Sequence, residues 1–306
     1  MQIVRFAHPA HPEPMVGVSL GSEITLCPPE TTIGSLLRCS RDQLRSRLES
    51  MAGPQLDLDE VRLLAPVDGR VEVWAAGVTY ENSRLARMEE SEHEATIYER
   101  VYEALRPELF FKTPAWKARG HGEPISVRRD SPINVPEPEA AVVLNAHGEV
   151  VGLTVCDDVS SRSIEAENPL YLPQAKIYAG ACAVGPGIRP IWEVDGADSL
   201  AITLTVRRAG AVVWSGDAST AQLKRGFTDL AGWLFAADEF PEGVVLSTGT
   251  CLVPALPFTL EHGDEVEISL AQVGTLVNTV TVGLEAYRAA LRDADQNPRP
   301  STASPA

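Results

Sequence analysis

The sequence predicts an α+β fold, a small N-terminal α+β domain followed by a larger β-rich one. Strand-length apolar runs bounded by turn residues recur along the chain, at residues 3–6, 16–20, 140–144, 150–155, 201–206 and 244–246 among others. Helix-period stretches are few and short, as at residues 32–37, 42–48 and 98–105. No internal repeat, Rossmann glycine motif or P-loop points to an alternating α/β chain.

Residues 1–63 make the small domain. Ile3-Val4-Arg5-Phe6 and Val16-Gly17-Val18-Ser19-Leu20 are short strands separated by a proline-rich loop, and Ile24-Thr25-Leu26 is a third. The two helical stretches that follow carry one apolar stripe each. His8 and His11 are expected in solvated loop, and nothing here carries chemistry. The boundary falls near Glu60, so residues 64–291 form the second domain. Residues 292–306, rich in Asp, Asn, Pro and Ser, form a flexible tail.

In the second domain, Val71-Glu72-Val73-Trp74-Ala75-Ala76-Gly77 is a strand ending in a loop. Leu85 and Met88, then Ile97, Tyr98, Val101, Tyr102 and Leu105, fit helical segments on either side of an acidic run at residues 89–94. Ala140-Ala141-Val142-Val143-Leu144 is solidly apolar, Asn145-Ala146-His147-Gly148 turns, and residues 150–155 return. A second hairpin joins residues 201–206 to 212–214 through Arg207-Arg208-Ala209-Gly210. Thr220 caps a helix with Leu223, Phe227, Leu230, Ala231 and Leu234 on one face. Residues 244–250 are a strand ending in a hydroxyl- and glycine-rich turn, whose N–H groups are suited to hold a carboxylate. His262-Gly263-Asp264-Glu265 is a hairpin turn, with His262 expected at the surface.

Composition narrows the function. At 33.0 kDa, 44% hydrophobic and 22% charged, the chain is long enough for a large core. A formal charge of -16 and a pI near 4.8 argue against nucleic acid or an anionic membrane as partner. Cys27, Cys39, Cys156, Cys182 and Cys251 are odd in number and widely spaced, as expected of reduced thiols in a cytoplasmic protein.

The chemistry concentrates between Pro136 and Gly187. Glu137 and Glu139 are two apart, so in extended chain both leave one sheet face, about 7 Å apart. The returning strand carries Asp158 beside them. Three oxygen ligands with no nearby Cys or His suit Mg²⁺, with Mn²⁺ the alternative, and leave positions open for an oxygen-rich substrate. Acid-x-acid pairs also arise by chance in an acidic chain, as at Glu92/Glu94, Glu165/Glu167 and Glu265/Glu267. The position of Glu137 and Glu139 before a buried strand separates them from these, since unpaired acids are rarely buried.

Ala75-Ala76-Gly77-Val78-Thr79-Tyr80, Phe110-Phe111-Lys112, Glu137-x-Glu139, Asp158-Val159-Ser160-Ser161-Arg162, Lys176, Gly185-Pro186 and Ser247-Thr248-Gly249-Thr250 together resemble, in order, the fumarylacetoacetate hydrolase family. The resemblance covers residues 64–282, and Glu165-Ala-Glu-Asn-Pro-Leu-Tyr-Leu-Pro-Gln-Ala-Lys-Ile-Tyr178 looks like its 2-keto-3-deoxy-D-arabinonate dehydratase branch. It implies a mixed-sheet roll of the fumarylacetoacetase C-terminal type, a homodimer or homotetramer, and a small 2-keto acid as substrate. It implies Glu137, Glu139 and Asp158 as metal ligands, and Lys176, Glu165 and Lys112 as catalytic residues. Thr250, Gly249, Tyr171 and Arg162 fall on the substrate side, with Arg162 also bracing the carboxylates. Like-charge repulsion from a divalent cation favours a neutral Lys176 amine, and hence a general base. Glu89, Glu90 and Glu92 are candidates for an acid on a lid.

In hydrolase members a loop reads Asn-Tyr-x-x-His, and its histidine activates water. Here the run is Thr79-Tyr80-Glu81-Asn82-Ser83, so serine replaces the base. The expectation is therefore a Mg²⁺-dependent dehydratase converting 2-keto-3-deoxy-D-arabinonate to 2,5-dioxopentanoate. The alternatives are a carbon-carbon hydrolase or oxaloacetate decarboxylase of the same family, a Schiff-base lyase, or a non-catalytic keto-acid binder.

Overall fold

The computed structural model describes residues 1–81 and 95–296, and within them the side chains of residues 95–98, 295 and 296 are left out. The expectations for Ser83, Leu85, Met88, Glu89, Glu90, Glu92, and the Ile97 and Tyr98 side chains lie outside what is described, as does the tail beyond residue 296.

Strands β1 (Gln2–Ala7), β2 (Met15–Leu20) and β3 (Glu23–Leu26) form an antiparallel meander to which β4 (Gln55–Asp57) is added. Between β3 and β4 lie α1 (Ile33–Leu37) and α2 (Arg41–Glu49), opened by capping boxes at Thr32 and Ser40. Then come β5 (Arg62–Leu64), β6 (Glu72–Gly77), α3 (Ala95–Glu103), β7 (Glu108–Pro114), β8 (Pro124–Val127) and β9 (Asn134–Val135). The central hairpin is β10 (Pro138–Leu144) and β11 (Val150–Asp158), followed by β12 (Ser160–Ser161), α4 (Arg162–Glu167), α5 (Leu172–Lys176) and β13 (Cys182–Pro190). The chain ends with β14 (Ala201–Arg208), β15 (Ala211–Ser219), α6 (Phe227–Leu234), β16 (Val244–Ser247), β17 (Glu265–Leu270), β18 (Gly274–Val282) and α7 (Leu284–Gln296).

Among the described residues, eleven strands form one sheet in the order β4-β3-β2-β1-β13-β11-β10-β16-β6-β7, with β5 also paired to β1. A second sheet of five runs β15-β14-β17-β18-β8. Each sheet is antiparallel except at one ladder, β16 to β6 in the first and β18 to β8 in the second. The fold is thus α+β with mixed sheets and few helices.

Side-chain alternation explains why the 140–144 run is solidly apolar. Ala140, Val142 and Leu144 cluster with Leu204, Val206, Ile268 and Leu276 of the five-stranded sheet. Ala141 and Val143 cluster with Leu36, Leu37 and Leu44 of α1 and α2. A strand covered on both faces needs no polar side. A third, smaller core holds Val4, Phe6, Ile24, Leu58, Val61 and Leu63. The N-terminal strands continue the central sheet, because β1 pairs β13 at Ile3 and Ile188.

Three local expectations need correction. Thr220 starts a short 3-10 turn, and its hydroxyl accepts from the Leu200 N–H at 2.8 Å. The helix begins later, at Phe227 behind Gly226, because the Leu223 backbone is extended. Helix α7 carries residues 292–296 of the segment read as tail. The β14–β15 turn tightens to Ala209 and Gly210, both left-handed with φ of 49° and 81°. No described helix is long and apolar enough to cross a membrane.

Candidate active site

The site lies where the apolar hairpin β10–β11 ends. Pro138 pairs with Asp157 and Glu139 with Cys156, which places Asp158 next to Glu137 on the same sheet face as Glu139. One carboxylate oxygen from each of Glu137, Glu139 and Asp158 lies within 4.8 Å of the others, and all three residues are buried.

Three cations converge on this group. Lys176, the last residue of α5, donates to Glu137 Oε2 at 2.6 Å, Asp158 Oδ2 at 2.9 Å and Ser160 Oγ at 2.5 Å. Lys112, from β7, forms an ion pair with Asp158 Oδ1, and its directed hydrogen bonds go to Val159 O at 3.1 Å and Lys176 O at 2.6 Å. Arg162 spans Glu137 Oε1 at 3.4 Å and Glu165 Oε2 at 3.3 Å. Glu139 is held by neutral donors, the Ser247 hydroxyl at 2.6 Å and the Gly249 N–H at 2.7 Å.

The charge states follow from that division. Burial works against the Asp158 carboxylate, yet Lys112 and Lys176 together outweigh it and hold its pKa below the ordinary value. Burial, then the charges of Asp158 and Glu137, push Glu139 well above the ordinary range. Burial likewise pushes Asp157, on the opposite face of β11, up to about 8. A buried, oxygen-only cluster of three carboxylates is the donor set a hard divalent cation fits.

A small cavity opens onto this cluster. Its wall includes Glu137, Glu139, Asp158, Lys176, Glu165, Gly249 and Thr250, with Glu108, Phe110 and Leu172 alongside. Val78 also lines it with φ of 54°, an outlier for a β-branched residue and a sign of backbone strain stored at the site.

Residues 72–281 match the family described as fumarylacetoacetate (FAA) hydrolase C-terminal. The chain belongs to the fumarylacetoacetate hydrolase family. This family member is 44% identical over 226 residues to the 2-dehydro-3-deoxy-D-arabinonate dehydratase of Saccharolobus solfataricus, covering 73% of this chain and 76% of that one. It is 43% identical over 250 residues to a probable 2-keto-3-deoxyxylonate dehydratase of Haloferax volcanii, covering 81% and 86%. It also superposes on the structure of 2-keto-3-deoxy-D-arabinonate dehydratase complexed with magnesium and 2,5-dioxopentanoate. That match has a TM-score of 0.80 at 36% identity and covers 92% of this chain and 99% of that one.

Within this fumarylacetoacetate hydrolase fold the sequence-derived residues separate into layers. Glu137, Glu139, Asp158, Lys176, Glu165, Gly249 and Thr250 reach the cavity wall. Lys112 and Arg162 do not. Both are buried behind the carboxylates, where the Lys112 ammonium spends its donors on Asp158 and two carbonyls. Tyr171 is 36% exposed and outside the wall, whereas the next residue, Leu172, lines it because α5 turns Leu172 and Lys176 onto one face. The Gly249 N–H, expected to hold a substrate carboxylate, is committed to Glu139 instead. Gly249 itself has φ of 95°, and a Cβ there would run into Thr79 Oγ1.

Sequence reasoning missed Glu108, Phe110 as a wall residue, Ser160 and the Ser247 contact. Glu108 follows Pro107 as an isolated acid with no spacing to mark it. Ser160 and Ser247 lay inside quoted motifs, but their partners are 16 and 108 residues away in sequence.

Proposed function

We infer that this chain is a Mg²⁺-dependent dehydratase, a hydro-lyase that converts 2-keto-3-deoxy-D-arabinonate to 2,5-dioxopentanoate. The observation that carries this is the meeting of Glu137, Glu139 and Asp158 within 4.8 Å, beside the Lys176 ammonium, at a cavity. The two dehydratase relatives at 44% and 43% identity, and the structure complexed with magnesium and 2,5-dioxopentanoate, support it.

Glu137, Glu139 and Asp158 would hold Mg²⁺ or Mn²⁺. When bound there, the ion supplies a Lewis acid toward the carboxylate and 2-keto oxygens of the substrate. A substrate so placed presents its C3 to Lys176, which in its neutral amine form removes the C3 proton. The C4 hydroxyl departs with a proton as water, leaving a C3–C4 double bond conjugated to the 2-keto group. Loss of a C5 proton and return of a proton to C3 convert this to the C4–C5 enol, which tautomerises to the dioxo acid. We assign delivery of the proton that leaves with the C4 hydroxyl to the two acids of the described wall outside the ligand group, Glu165 and Glu108. Proton transfer from positioned groups contributes about 10² to 10⁴ each. Phe110, Val78 and Leu172 give the cavity an apolar side that limits bulk water. Lys112 and Arg162 hold the carboxylates in place from behind.

The same reading keeps the enzyme cytoplasmic, in pentose catabolism, and assembled as a homodimer or homotetramer. The test is purified protein incubated with 2-keto-3-deoxy-D-arabinonate in Mg²⁺ and in EDTA, with 2,5-dioxopentanoate followed directly. Product in Mg²⁺ that stops in EDTA and resumes on adding Mg²⁺ is expected. No product, or product unaffected by EDTA, contradicts the reading.

A further inference from the structure

Glu137 stands between Pro136 and Pro138, neither of which has an N–H. The entry to β10 therefore has a single main-chain donor across these three residues, the Glu137 N–H. In a regular antiparallel ladder such a donor meets a main-chain carbonyl of the neighbouring strand. Here it meets the side chain of Asp157 on β11, with Oδ1 at 3.1 Å. The Glu137 carbonyl in turn accepts from the Asp158 N–H at 3.0 Å. Both polar groups of the Glu137 main chain are thus fixed by β11.

Asp157 has no place in the cavity wall. It alternates with Asp158 along β11, so its side chain leaves the opposite face of the sheet. It is fully buried, and among the described residues its one hydrogen bond is to Glu137, with Oδ2 making none. Burying a carboxyl is unfavourable unless hydrogen bonds offset it, and this contact is the one on offer.

We propose that Asp157 is a positioning residue for the metal site, its Oδ1 fixing the Glu137 peptide so that the Glu137 carboxylate stands in register with Glu139 and Asp158. The proposal rests on the metal assignment made under Proposed function. It asks for an acceptor at Oδ1 and not for a charge, so the carbonyl of an asparagine serves equally well.

Metal binding tests this without turnover. Mg²⁺ affinity is measured by calorimetry and Mn²⁺ affinity by electron paramagnetic resonance on the full chain, for wild type, Asp157→Asn, Asp157→Ala and Asp157→Val. The Ala and Val variants are expected to keep the far-UV spectrum and to bind about 10- to 100-fold more weakly, as when a group supporting a ligand is lost. Asp157→Asn is expected to bind like wild type. Folded Ala or Val variants that bind as tightly as wild type overturn the proposal, as does Asp157→Asn binding as weakly as Asp157→Ala. Loss of the folded state in both acceptor-less variants also overturns it, by assigning the hydrogen bond to folding. Wild-type protein that binds neither ion refutes the metal assignment instead.

Discussion

The two halves of the β10–β11 hairpin share strands and register but not purpose. From Ala140 to Leu144 and from Val150 to Val155 the hairpin is apolar, packed on the five-stranded sheet on one side and on α1 and α2 on the other. From Glu137 to Glu139 and from Cys156 to Asp158 it buries four carboxyl groups in the same sheet. The apolar half gains from burial. The charged half is costly to bury, and its lysines and arginine offset only part of that cost. The apolar half acts as the rigid base that holds unfavourable neighbours together, and the charged half is where the metal assignment places function.

That contrast predicts opposite outcomes for substitutions only a few residues apart. Glu139→Gln should lower kcat by about 10³-fold or more, from losing a ligand to an ion that stabilises several kcal/mol of charge. Its melting temperature should hold or rise, because an unbalanced buried carboxyl is gone. An unfolded Glu139→Gln protein would break the comparison. Lys176→Met should cost about 10² to 10⁴ in kcat by removing a proton-transfer group. Calorimetry should find Mg²⁺ binding retained or tightened, since a like charge has left the site.

Leu153→Ala, in the apolar half, should do the reverse. Leu153 is fully buried, so its truncation should cost about 2–5 kcal/mol in denaturant unfolding. The folded protein should keep its Mg²⁺ affinity. A loss of metal affinity comparable to that of Asp157→Ala would mean that the two halves are not separable.

The smallest effect is expected at an ion pair outside the hairpin. Glu242 accepts from the Arg70 N–H at 2.8 Å and pairs with Arg38 at 2.6 Å. The Arg70 N–H first, then the Arg38 and Arg70 side chains, hold its pKa below the ordinary carboxylate value against partial desolvation. A depressed carboxyl stabilises the fold above its unfolded pKa, and that stability is lost as pH falls through the folded value. With Arg38 and Arg70 more than half exposed, Glu242→Gln should cost less than about 1 kcal/mol at neutral pH. The difference from wild type should vanish in acid. A difference that persists in acid would show that the contact does not act through charge.

The hairpin was legible because its signals are local. The run at residues 140–144, the Asn145-Ala146-His147-Gly148 turn and the period of two place Glu137, Glu139 and Asp158 together from the sequence alone. What was not legible depends on distant pairing. Nothing near Ile3 marks Ile188 as its neighbour, and nothing near β16 announces a parallel partner at residues 72–75. Glu108 was missed for the same reason, since β7 reaches the site only by pairing with β6. That Leu172 and not Tyr171 lines the cavity was not legible, because sequence order does not show which way a five-residue helix turns its face. The Gly249 N–H was placed on substrate because its acceptor, Glu139, lies 110 residues earlier.

The metal assignment is tested most directly by anomalous diffraction from crystals soaked in Mn²⁺, collected at the manganese edge. A single strong peak between the carboxylates of Glu137, Glu139 and Asp158 is predicted, and it should be lost in Glu139→Gln crystals. A peak elsewhere, or none at this cluster in the wild type, would contradict it.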